Sequence, residues 1–209
     1  MIPSPPEPLS CINRKRFSPG TEFHRIHHLD FESNSFNPCR GRPSRFAPLL
    51  SAGACIPTMY AATSFEAAVH ETIFHELQHD AARKVIAFGQ IEKLDYAVIQ
   101  LRRELVVASL FEADLNAWSL TRKLLIDTMA ADYPETAKWA VAIHDAFADI
   151  DGLVWTSKRC DPDLSLVLFG DRVASGDIAA ASRARIVQSN DLISQVRAFG
   201  QRANILLSL

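Results

Sequence analysis

The stretch IPTMYAATSFEAAVHETIFHE, residues 56–76, reads as a short strand at Met59–Ala62 running into a helix expected over Thr63–His79. Thr63 with Glu66 makes a capping box, each side chain satisfying an otherwise unpaired backbone N–H of the first turn. Phe65, Val69, Ile73 and Leu77 recur every four residues and form one apolar stripe. At about 100° per residue, Glu71 falls roughly opposite that stripe, with His75 and Gln78 nearby. That face meets either solvent or a cleft.

Working outward, Phe23–Leu29 alternates as a short strand, and Val85–Phe88 and Tyr96–Leu101 are rich in Val, Ile and aromatics. Helices are expected around Thr121–Ala131 and Pro134–Ala148, the second with proline in its first turn. Gly152–Ser157 and Leu164–Phe169 are apolar strands, and Asn190–Phe199 is a last helix ending at Gly200. The first twenty residues are rich in Pro and Ser and are expected to be extended or poorly ordered. No repeat and no long linker appears, so the chain is α/β or α+β in one unit of 209 residues.

Composition narrows the class. Hydrophobic residues make up 48% and charged residues 22%, as in an ordinary globular protein. The net charge of -2 argues against nucleic acid as a direct partner. Residues 1–45 nevertheless carry seven Lys/Arg against four acids. That local excess suits a small anion, or is simply a solvated terminal region. The uncharged run Phe46–Phe65 is about long enough to cross a bilayer, but Pro48, Gly53 and Pro57 break it. It reads as a buried loop, and no membrane association is expected. The four cysteines form no Cys-x-x-Cys pair, and the start has no secretory features. A reducing, cytoplasmic location is the default expectation.

His75-Glu76-Leu77-Gln78-His79 satisfies H-E-x-x-H, in which two His grip zinc and the Glu activates its water. Three features oppose a zinc peptidase: Asp80 follows the second His, Glu76 projects towards the apolar stripe, and no third ligand stands at a recognised spacing. No metal site is therefore expected. Phosphate-binding glycine loops and the G-x-S-x-G elbow are absent as well. A nucleotide would have to be held by side chains, and arginine, with its permanently charged fork, is the natural agent.

Four segments, FHRI (23–26), GRPSRFAPL (41–49), the quoted 56–76 stretch and DGLVWTSKR…LVLFGDR (151–172), together resemble the RES-domain family. These are toxins of type II toxin–antitoxin pairs, named for an Arg, a Glu and a Ser. The resemblance spans about residues 22–174. It implies a domain over 22–209 with a C-terminal helical part at 175–209, preceded by a poorly ordered extension over 1–21. It also implies an α+β fold similar to diphtheria-toxin-type ADP-ribosyltransferases, with short central sheets flanked by helices. NAD+ would be the substrate, cleaved at the nicotinamide–ribose bond, with ADP-ribose passed to water, phosphate or a protein acceptor. The implied partner is an antitoxin with an Xre-like DNA-binding domain that blocks the cleft.

By the same resemblance the family's Arg falls on Arg45, its Tyr on Tyr60, its Glu on Glu71 and its Ser on Ser157, with Arg25 a second arginine. Arg45 and Arg25 would hold the pyrophosphate, Tyr60 the nicotinamide and Glu71 the ribose. Ser157 would bond the nicotinamide amide or a ribose. Many relatives have a short turn between Arg and Tyr, whereas fifteen positions separate Arg45 from Tyr60 here, which leaves Arg42 as an alternative phosphate ligand. Taken without the resemblance, Glu71 is an ordinary helix carboxylate, Tyr60 a strand aromatic and Ser157 a strand-end turn residue. Rival functions are transfer of ADP-ribose to one specific protein, a zinc peptidase on His75 and His79, and a non-catalytic binding module.

Overall fold

The computed structural model describes residues 2–75, 77 and 84–208. Twelve strands follow one another as β1 (Arg14–Phe17), β2 (Glu22–His28), β3 (Leu49–Ser51), β4 (Ala54–Ile56), β5 (Thr58–Ala62), β6 (Lys84–Ala87), β7 (Leu94–Leu101), β8 (Leu105–Ser109), β9 (Gly152–Thr156), β10 (Leu164–Phe169), β11 (Ile178–Arg185) and β12 (Ile205–Ser208) among the described residues. The α-helices are α1 (Phe65–Thr72), α2 (Glu112–Leu115), α3 (Arg122–Leu125), α4 (Tyr133–Ala146) and α5 (Asn190–Arg202). Eight strands form one sheet in the order β1-β8-β9-β10-β5-β2-β7-β11, while β3–β4 is a hairpin and β6–β12 a small parallel pair. The architecture is α+β in one domain, as the sequence indicates.

Packing follows the hydrophobic pattern. Phe65 and Val69 of α1, with Ile73 and Phe74 just beyond its end, are buried against Val196 of α5 and Ile86 and Ile205 of the small sheet, and Leu77 packs at the edge. A second cluster joins Trp139 and Ile143 of α4 to Trp155, Val167 and Phe169 of the main sheet. Gly152 is needed at the centre: a Cβ there would lie 2.2 Å from the Val167 carbonyl, so β9 and β10 approach only because the side chain is absent.

Several expectations are corrected. Helix α1 stops at Thr72, and its N-cap is Ser64, whose hydroxyl oxygen accepts from the Ala67 N–H at 3.0 Å. Thr63 instead accepts from the Leu164 N–H, pinning the helix start to β10, and Glu66 pairs with Arg202 at 2.8 Å. Of the helix expected over Thr121–Ala131, one α-helical turn forms. Arg122 bonds the carbonyls of Thr156 and Ser157 and meets Asp127, which draws the segment onto β9. The proline-rich start is extended but docked: Ile2 and Leu9 are buried, and Arg14–Phe17 pairs with β8. The C-terminal part is not purely helical, because β11 and β12 flank α5, which runs beyond Gly200 to Arg202. No described helix is long and apolar enough to cross a membrane.

Candidate active site

The site arises where the main sheet fails to close. Strands β2 and β5 are joined at His24↔Ala62, and beyond that pair they part. A cavity of about 340 Å³ opens in the gap, lined by Arg25 of β2, Tyr60 of β5, Glu71 and His75 from the α1 side, and Arg42 and Arg45 from the loop before β3. A neighbouring cavity of about 470 Å³ shares Arg42 and His75 and is also lined by Tyr133, Lys158 and Arg159.

Glu71 sits in the last turn of α1, where the helix dipole disfavours a carboxylate. Three groups reverse that. Its Oε1 accepts from the Ser157 hydroxyl at 2.8 Å and from the Lys158 N–H at 2.9 Å, and its Oε2 lies 3.5 Å from Arg45 Nη1. Burial alone would raise its pKa. The Arg45 charge, the Lys158 N–H and the Ser157 hydroxyl outweigh burial and hold the carboxyl below its ordinary range. Glu71 is thus an ionised carboxylate in a cleft, with its side chain 14% exposed.

Arg45 is almost entirely buried, its side chain 2% exposed. Its guanidinium carbon lies 5.8 Å from the Trp155 ring centroid, and its Nε and Nη2 have no partner among the described residues. The backbone around it is fixed at three points. The Thr136 hydroxyl donates to the Arg45 carbonyl, while the Tyr60 hydroxyl oxygen accepts from the Phe46 N–H and from the Ser44 hydroxyl, both at 3.0 Å. Tyr60 therefore clamps the residues on either side of Arg45. Burial pushes its phenol up to about 12, so it stays neutral. Its ring meets Trp155 edge to face at 6.2 Å.

Arg25 is buried too, and its Nη1 donates to the carbonyls of Ser33 and Ser35 at 3.0 and 2.8 Å. No described carboxylate pairs with it, and burial lowers its pKa to about 10, which leaves it charged at neutral pH. Ser157 is fully buried behind Glu71, and its hydroxyl is spent on that carboxylate. The structure therefore brings Arg25, Arg45, Tyr60 and Glu71 to one cavity, with Ser157 holding Glu71 from the rear. Arg45, not Arg42, stands against Glu71. Arg42 is exposed at the rim.

His75, which helical spacing places near Glu71 and which also begins the metal motif, lines the cavity one turn beyond Glu71. Its Nε2 shares a 2.6 Å hydrogen bond with the Tyr133 hydroxyl, and the two rings stack at 5.9 Å. Burial, then the Arg45 charge, lowers its pKa, so the imidazole is neutral. Glu76 and His79, the rest of the H-E-x-x-H reading, lie outside the described residues. Among the described residues no three His, Cys, Asp or Glu side chains converge as a metal site. Sequence reading also passed over a disulfide between Cys39 and Cys55, which closes the loop bearing Arg45. Its ends are 16 positions apart, with no local motif to mark them.

A comparison with curated proteins finds no match. The family model of the RES domain matches residues 22–188, from β2 through β11 and so across every element that lines the cavity. The chain belongs to the RES-domain family.

Proposed function

We propose that this protein cleaves NAD+ at the nicotinamide–ribose bond and passes ADP-ribose to phosphate, water or a protein acceptor, as the toxin of a type II toxin–antitoxin system. The RES domain is associated with NAD-related toxin–antitoxin systems, and such families generally pair with antitoxins. The observation that carries the reading is Glu71, kept ionised inside a cavity whose wall also carries Arg25, Arg40, Arg42 and Arg45.

The chemistry follows from charge. As the glycosidic bond breaks, its electron pair moves onto the pyridinium nitrogen, nicotinamide leaves neutral, and positive charge develops on the ribose. A fixed carboxylate in a water-poor cleft stabilises that charge where it appears. Arg25 and Arg45 supply the counter-charge for the pyrophosphate, and Tyr60 offers a ring edge and face to nicotinamide. Ser157 and the Lys158 N–H hold Glu71 in the orientation that serves the ribose. An acceptor oxygen then bonds to the ribose carbon and gives up its proton. The partner would be an antitoxin with an Xre-like DNA-binding domain covering the cleft, and the setting cytoplasmic.

Incubating purified protein with NAD+ and weighing the products tests this. Free nicotinamide is expected, with ADP-ribose, ADP-ribose-1″-phosphate or a protein gaining one ADP-ribose identifying water, phosphate or protein as acceptor. Intact NAD+ after prolonged incubation, with and without phosphate and cell extract, refutes the reading.

A further inference from the structure

The loop that carries Arg45 is closed on itself covalently, with Cys39 in the cavity wall bonded to Cys55 at the β3–β4 hairpin. Inside that closure the hold is uneven. Residues 44–47 are fixed by Tyr60, Thr136 and the fully buried Phe46 ring. Residues 39–43 have less. Asn37 accepts from the Cys39 and Arg40 N–H groups at 2.9 and 2.8 Å and donates to the Arg40 carbonyl at 2.9 Å. This arm bears Arg40 and Arg42, both lining the cavity and neither paired to a described carboxylate. Asn37 itself pairs with Thr58 through two backbone hydrogen bonds, and the disulfide is the covalent link from the arm to the hairpin. Cys55 is exposed, so a small thiol can reach it.

We propose that Cys39–Cys55 is a redox switch on the cavity: oxidised, it holds Arg40 and Arg42 over the phosphates of the dinucleotide, and reduced, it frees them and weakens binding. The inference rests on the dinucleotide reading above. A thiolate of a small dithiol attacks the Cys55 sulfur, the S–S bond breaks, and Cys39 leaves as a thiolate that takes up a proton. The second sulfur of the dithiol then closes on the first and releases Cys55 as a thiol. Two electrons pass to the protein, and the dithiol departs as a cyclic disulfide. Exchange with a low-molecular-weight disulfide runs the step backwards. The Glu71 centre, anchored by Ser157, Lys158 and the Tyr60-held segment, keeps its geometry in both states.

Initial rates of nicotinamide release, measured on the full chain after oxidation with a small disulfide and after reduction with dithiothreitol, separate KM from kcat. Alkylation and mass spectrometry count the thiols in each sample. Reduction should expose Cys39 and Cys55 to label and raise KM about tenfold, the scale of losing charge-assisted bonds to phosphate, with kcat within about twofold. The double variant Cys39→Ser/Cys55→Ser should show the raised KM under both conditions, and Cys11→Ser should respond as wild type does. Equal KM in the two states overturns the switch while leaving NAD+ cleavage intact. Free Cys39 and Cys55 in the oxidised sample overturns it as well. Absence of nicotinamide in both states overturns the dinucleotide reading and the switch with it.

Discussion

Replacing Glu71 by Gln removes one negative charge with almost no change in shape, and the structure sets what that does to rate and to stability. The amide oxygen can still accept from Ser157 and from the Lys158 N–H, so orientation survives. On the NAD+-cleaving reading, what goes is the field on the developing ribose cation. Loss of one such preorganised group costs about 10²–10³ in rate, and it should appear in kcat rather than in substrate affinity. Stability moves too. Arg45 is buried with Glu71 as its acidic neighbour at 3.5 Å, so the variant strands a buried charge. Breaking a buried pair costs about 3–5 kcal/mol, and the length of this contact favours the low end. At about 2–4 °C per kcal/mol for a chain of this size, Tm should fall by about 6–12 °C. Added ADP-ribose should recover part of that loss by giving Arg45 an anion. Chromatographic assay of nicotinamide and thermal melts with and without ADP-ribose report both quantities. Glu66→Gln, whose partner is the exposed Arg202, is the control and should stay active. A folded Glu71→Gln protein releasing nicotinamide at the wild-type rate would refute the catalytic assignment.

Tyr60→Phe removes the acceptor that the Phe46 N–H and Ser44 share, so a loss of about 1–3 kcal/mol and a raised KM are expected in denaturant melts and rate assays. His70 is buried with its pKa lowered to about 4, first by burial and then by Arg159. The unfolded chain takes up its proton near pH 6.5 and the folded chain does not. Stability should therefore fall from about pH 6.5 down to 4, and His70→Gln should flatten that limb of the melting profile. Gly152→Ala puts a methyl against the Val167 carbonyl, and overpacking of this kind costs about 1–3 kcal/mol, read as a lowered Tm with unchanged product identity.

Much of this architecture is legible in the sequence because its period is strong. The stripe of α1, the apolar strands β9 and β10 and the long helix α4 each show a repeat that burial then follows. The edges are not legible. β1 reads RKRF, a charged segment that is a strand because β8 offers a partner, and edge strands commonly carry such charges. β11 reads IAAASRAR, which favours helix by composition but pairs along β7, with Arg183 and Arg185 both bonded to Asp95. Tertiary pairing overrides local preference there. At the site, Glu71 facing away from the apolar stripe follows from helical spacing, and Arg45 from the family pattern. The Tyr60 clamp and the Cys39–Cys55 bond join residues far apart in sequence across a loop with no period, so nothing local announces them.

The interleaved strand order has a consequence for biosynthesis. The first strands of the chain flank partners made much later: β1 lies two places from β9, and β5 pairs directly with β10. Glu71 is translated early, yet the serine and the backbone N–H that orient it belong to the turn after β9. A ribosome-bound chain that has not yet delivered residue 157 lacks both the groups that seat the carboxylate and the strand on which β5 leans. Such a chain already contains Arg25, Arg40, Arg42 and Arg45 but has no assembled centre. On the NAD+-cleaving reading, a chain released before that point carries no seated carboxylate and should release no nicotinamide.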